Sequence, residues 1–88
     1  MFVVERYLPA ASPEELAAEV DRDRRAAEGM RAAGIPVRHL ATIHVPSDES
    51  CFCLFDAPSA AAVREAQERA GIGFERIVEA VELPRRHR

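Results

Sequence analysis

The side chains with chemical capability in this 88-residue sequence are few: the thiols of Cys51 and Cys53, the imidazoles of His39, His44 and His87, the carboxylates of Glu5 and Glu79, and the phenol of Tyr7. Thiolate, imidazole and carboxylate together suit nickel, zinc or copper better than magnesium or calcium. The Cys51-Phe52-Cys53 spacing is not a zinc-ribbon signature, which needs two pairs at longer internal spacing. On a strand the two cysteines stand about 6.7 Å apart, at the outer limit for a disulfide, so free thiols are expected. Glu5 and Glu79 would form a general acid/base pair if adjacent, their proximity raising one pKa. The alternative is that each pairs with an arginine such as Arg6 or Arg76. The chain contains no phosphate loop and no HExxH.

The elements that must position these groups are well signalled. Phe2 to Leu8 is rich in Val, Phe and Tyr and stops at Pro9, which reads as a strand. Ser12-Pro13-Glu14-Glu15 then supplies a cap, a first-turn proline and a capping-box glutamate. That helix should run to about Ala33, with Leu16, Val20, Ala27 and Met30 on one face and Gly34 as its stop. Val37 to Val45 and Cys51 to Asp56 are two β-prone runs separated by the polar cluster 46–50. A second helix opens at Ser59, turns Val63, Ala66 and Ala70 inward and ends at Gly71, and a last strand covers about Glu75 to Leu83. This is the α+β order of a ferredoxin-like βαββαβ domain over residues 1–84: an antiparallel sheet in order 4-1-3-2 with both helices on one face.

Alternation along each strand divides the side chains between two faces. One set, including Phe2, Val4, Leu8, Ala41, Ile43, Val45, Phe52, Leu54, Val78 and Ala80, is nearly all apolar and is expected beneath the helices, with Arg6 at the sheet margin. The other includes Val3, Glu5, Tyr7, Thr42, His44, Cys51, Cys53, Phe55, Ile77, Glu79 and Val81, on the open face. Placing His44 opposite Cys53 gives a row Glu79, Glu5, Cys53, His44 at mid-height, with steps of roughly 5 Å. A metal would be held there by Cys53, His44 and Glu5, and a small ligand by Glu5, Tyr7 and Glu79. Such a face is too apolar to leave in water and its carboxylates are costly to bury unpaired. A second copy packed sheet to sheet, as in dimeric α/β barrels, meets both demands.

Composition removes several function classes. All twelve basic residues are arginines, and fifteen acidic residues outweigh them to a net charge of -3, which argues against nucleic acid as a partner. Asp21-Arg22-Asp23-Arg24-Arg25 reads as the solvated side of a helix. Only the tail, Arg85-Arg86-His87-Arg88, is uniformly basic. No apolar run approaches the roughly 20 residues that span a bilayer. The opening residues lack a secretory pattern, so a cytoplasmic location with reduced cysteines is expected.

The run Cys51-Phe52-Cys53-Leu54-Phe55-Asp56-Ala57-Pro58-Ser59, followed by Ala62-Val63-Arg64-Glu65-Ala66 and Ala70-Gly71, resembles a family of small bacterial proteins named for a nickel-responsive, nickel-binding member. Phe2 to Pro9 and Arg76-Ile77-Val78-Glu79 fit as well, so the resemblance covers nearly the whole chain. It implies a ferredoxin-like fold, a homodimer and nickel binding in which Cys53 takes part. Nickel-type relatives carry a histidine soon after the Arg-Glu pair of the second helix, and here that position is Ala66, followed by Gln67. The leading expectation is a non-enzymatic, dimeric binder of nickel, zinc or a small ligand. The rivals are a cofactor-free oxygenase or isomerase using Glu5 or His44 as base with Tyr7 orienting the substrate, and a structural or regulatory partner domain without a ligand.

Overall fold

Ser12 starts the first helix as its sequence demands: its Oγ accepts a hydrogen bond from the Glu15 N–H at 3.1 Å, and Pro13 occupies the first turn. At the second helix Ser59 does the same for the Ala62 N–H at 3.2 Å, and Gly71, at φ 70°, supplies the left-handed stop. The computed structural model describes residues 1–84, and the basic tail 85–88 lies outside the described residues. Its elements are β1 (Phe2–Tyr7), α1 (Pro13–Ala32), β2 (Arg38–Val45), a short 3-10 turn (Pro46–Asp48), β3 (Ser50–Asp56), α2 (Ala60–Ala70) and β4 (Arg76–Glu79). The sheet has the order β2-β3-β1-β4 with every neighbour antiparallel, and both helices pack on one side of it, so the ferredoxin-like topology holds.

The last strand is shorter than expected. Glu79 pairs with Phe2, the first residue of β1, so beyond that point β4 has almost no strand left to follow. One more bond, from the Ala80 N–H to the Met1 carbonyl at 2.9 Å, closes the edge. Val81 and Leu83 then stand 80 % and 78 % exposed.

Face assignment is where the structure departs most from the sequence reading. Cross-strand partners share a face, and β1 pairs Val4 with Cys53, Phe2 with Phe55 and Arg6 with Cys51. Cys51, Cys53 and Phe55 therefore lie beneath the helices, each fully buried, and Phe52 and Leu54 take the open face. Thr42 opposite Cys53 and His44 opposite Cys51 follow them inward, while Ala41 and Ile43 face outward. The hairpin register is also two residues from the expected one, because Pro46 to Glu49 form the connection and Val45 pairs with Ser50. A bulge between His39 and Ala41 returns His39 to the helix side, opposite Phe55. Arg6, expected at the margin, is buried at 5 % exposure.

The physical reason lies in the helices. Their inner faces are lined by Ala26, Ala27, Ala62, Ala66 and Ala70, small residues that bring the backbones close, and they also carry Asp23 and Gln67. Asp23 gives the Cys53 thiol of β3 a partner that the open face does not offer, and Gln67 holds Asp23 in turn.

Candidate functional site

Asp23 of α1 reaches down onto Cys53 at the centre of β3, and Gln67 of α2 reaches across to Asp23. Both are buried, at 1 % and 0 % exposure. Gln67 Nε2 donates to Asp23 Oδ1 at 2.7 Å, and the Cys53 thiol donates to Asp23 Oδ2 at 3.5 Å. Thr42 Oγ1 lies 3.5 Å from the same sulfur, and His39 Nε2 sits 2.8 Å from Thr42 Oγ1. The His39 ring is held edge-on against Phe55, with centroids 5.4 Å apart. A continuous polar chain thus crosses the core from His39 through Thr42, Cys53 and Asp23 to Gln67.

A second branch lies beside it. Arg6 Nη2 donates to Glu19 Oε2 at 2.6 Å and lies 3.8 Å from Cys51 Sγ. Buried atoms without a partner among the described residues are Arg6 Nε and Nη1, His39 Nδ1, His44 Nε2 and Gln67 Oε1. Buried polar groups left unpaired are costly, so several of them in one layer single it out as the place where the fold has given up stability.

The charges divide the two thiols. Cys51 is lowered to about 6, by the neighbouring Cys53 thiol and by the Arg6 guanidinium, against its own burial. Cys53 is pushed up, by the neighbouring Cys51, by burial and by the Asp23 charge. Cys53 therefore keeps its proton at neutral pH and Cys51 carries thiolate character. Burial would lower the Arg6 pKa, but the charges of Cys53, Glu19, Cys51 and Asp23 outweigh it and raise the pKa overall. Burial lowers the His39 pKa and leaves the imidazole neutral.

The four side chains expected to form a row are not brought together. Glu5 is on the open face, opposite Phe52 on one side and Arg76 on the other, and its carboxylate is engaged by the Arg76 guanidinium. Cys53 and His44 are on the helix face, with His44 opposite Cys51 and not Cys53. Glu79 is at the far end of β4 and shares the parity of Phe2. Glu5 therefore joins neither Cys53 and His44 at a metal nor Glu79 as an acid/base pair. Glu5 and Tyr7 do share a cleft of about 420 Å³ on the open face with Ser50, Phe52 and Arg76, from which Glu79 is absent.

Sequence reasoning missed Asp23, Gln67, Thr42 and Arg6 as site residues and gave His39 a minor place. A signal was present. The stripe Leu16, Val20, Ala27, Met30 has a vacancy at position 23, where the 3.6 period requires an inward residue. An aspartate there breaks the apolar face, and Gln67 breaks that of α2 in the same way.

Among the described residues no three of His, Cys, Asp and Glu already converge as a metal site. The donor chemistry nevertheless fits a borderline cation at one edge. Ligands at about 2.3 Å (thiolate) and about 2.0 Å (carboxylate) from a tetrahedral ion are about 3.5 Å apart, and Cys53 Sγ stands 3.5 Å from Asp23 Oδ2. Gln67 supplies the hydrogen bond that a ligating carboxylate ordinarily receives from outside the coordination sphere.

Comparison with known proteins agrees with the fold. The chain is similar to the crystal structure of SCO4226 from Streptomyces coelicolor A3(2), with a TM-score of 0.80 and 21 % identity over 94 % of this chain and 98 % of that one. Identity at that level speaks to the fold alone. A comparison with the curated proteins found no match. Residues 2–80 match the family described as nickel responsive protein SCO4226-like. With that match running from the first strand to the last, this chain belongs to the SCO4226-like nickel-responsive protein family.

Proposed function

We propose that this protein binds a borderline divalent cation of the nickel or zinc type in the layer between helices and sheet, through Cys53 and Asp23 with His39 as third donor. The observation that carries the reading is the Cys53–Asp23 pair, two ligands of suitable chemistry held 3.5 Å apart in the core. The family's nickel-responsive description supports the choice of cation. His39 is neutral and two hydrogen bonds from the Cys53 sulfur, through Thr42. Ligation replaces the Cys53 proton, so uptake of the cation releases a proton and weakens as pH falls. Glu5 takes no part, because the sheet separates it from the thiol.

The same reading includes a homodimer. Val3, Ile43, Phe52, Leu54 and Val78 make a contiguous apolar surface on the open face, with Ile43 51 % exposed, and a second copy of that surface is the natural cover.

The metal assignment is tested by calorimetric titration of chelator-treated, tag-free protein with nickel chloride and zinc chloride. One cation per chain is expected for the native sequence, with uptake lost in Cys53→Ser and in Asp23→Asn. Circular dichroism establishes that both variants are folded. Equal uptake by the native protein and both folded variants would remove the proposal.

A further inference from the structure

Nine arginines lie within the described residues, and their partners sort them sharply. Arg6, Arg22, Arg25, Arg69 and Arg76 are in ion pairs. Arg64 stacks over the Phe74 ring, 5.4 Å from its centroid. The remaining three, Arg24, Arg31 and Arg38, have no carboxylate within ion-pair distance among the described residues, and all three line one cleft. That cleft lies between α1 and the start of β2 and has a volume of about 350 Å³. Its other walls are Ala27, Glu28 and His39.

Three guanidinium groups and one carboxylate leave two unbalanced positive charges there, in a chain whose net charge is -3. Grouping like charges is unfavourable unless something of opposite charge relieves it. An acidic residue could have done so at little cost, as Glu19, Asp21 and Glu65 do for other arginines of the same helices. Part of Arg31 is committed, through Nη1 to the Val37 carbonyl at 2.8 Å, which braces that side chain. Guanidinium forks match the paired oxygens of phosphate and present more donors than a solvated surface arginine needs. The cleft is also larger than a lone phosphate requires and falls at the low end of the range for small-molecule sites, about 300–1,000 Å³.

From these observations we infer that the cleft between α1 and β2 is an anion site, taking the phosphate group of a small phosphorylated molecule through Arg24, Arg31 and Arg38. This goes beyond the metal reading and does not depend on it. Binding is salt-sensitive because the guanidinium groups are exposed to solvent.

The test is a titration of the full-length ¹⁵N-labelled chain, in a phosphate-free buffer at low salt, with inorganic phosphate and separately with glycerol phosphate. Sodium chloride at matched ionic strength is the control. Saturable shifts of backbone amides in 24–31 and 38–39 are expected with both phosphates and not with chloride. Arg24→Gln and Arg38→Gln should each weaken binding about tenfold. Arg69→Gln, which removes an arginine already paired with Glu65, should leave it within about twofold. Cys53→Ser should bind phosphate as the native chain does, which separates this site from the metal layer. Shifts that follow chloride equally, or phosphate binding undiminished in both Arg24→Gln and Arg38→Gln, would overturn the assignment.

Discussion

Replacing Gln67 with methionine keeps the side chain's volume and removes the amide that donates to Asp23 Oδ1 at 2.7 Å. Both partners are essentially inaccessible, at 0 % and 1 % exposure, so water does not take over the lost bond. A hydrogen bond to a charged group contributes about 1.5–3 kcal/mol, and Gln67→Met should cost about 2 kcal/mol. Asp23→Leu should cost a similar amount, since it strands the amide of Gln67 and the thiol of Cys53. In the double variant apolar groups of similar size face one another, and only the Cys53 thiol, already stranded by Asp23→Leu alone, lacks its partner. It should therefore be more stable than the sum of the single changes by about 2 kcal/mol. For 88 residues, unfolding entropy of about 2.1 cal/mol/K per residue gives about 185 cal/mol/K, or about 5 °C in Tm per kcal/mol. The expected non-additivity is thus about 10 °C, read by differential scanning calorimetry of the four metal-free proteins. Tm changes that add to within about 2 °C would refute the argument that Asp23 and Gln67 support one another across the helix pair.

Two further outcomes are expected. Phe52→Glu or Ile43→Glu should halve the mass seen by light scattering while the far-ultraviolet spectrum is kept, because both residues lie on the open face; unchanged mass would sink the homodimer. Stability should rise with pH between about 6 and 9, because Cys51 has lost its proton in the folded chain from about 6 whereas its unfolded counterpart keeps one to near 9. Cys53, shifted the other way, erodes stability only above that window. Urea midpoints measured across pH 6–8.5 should climb in the native protein and climb less in Cys51→Ala. Equal slopes would show that the folded chain does not favour the Cys51 thiolate.

Local signals made the elements readable. Ser12 and Ser59 as caps, Gly71 as a left-handed stop and Pro9 as a strand end act within a few residues of where they stand, and the helices begin and end close to where those residues place them. The split βαβ order then leaves few ways to connect four strands, and the observed sheet order follows from it. Membership of the nickel-responsive family was also legible, in the stretch from Cys51 to Ser59 and in Phe2 to Pro9, which lie inside the matched residues.

The orientation of each strand was of another kind. Cys51-Phe52-Cys53-Leu54-Phe55 is apolar at every position, so its alternation has no phase that sequence can read. A strand that could bury either side is decided by what the helices present to it. Here Asp23, held by Gln67, meets Cys53 while small alanines admit the strand closely, so the thiols turn inward and Phe52 and Leu54 turn outward. By itself, then, the sequence determined the order of the elements and the identity of the family, because caps, breakers and covalent connectivity are local. Which side chains share a face, and hence that Cys53 meets Asp23 and not Glu5, was decided only in the tertiary structure, where residues about thirty positions apart compete for one buried layer.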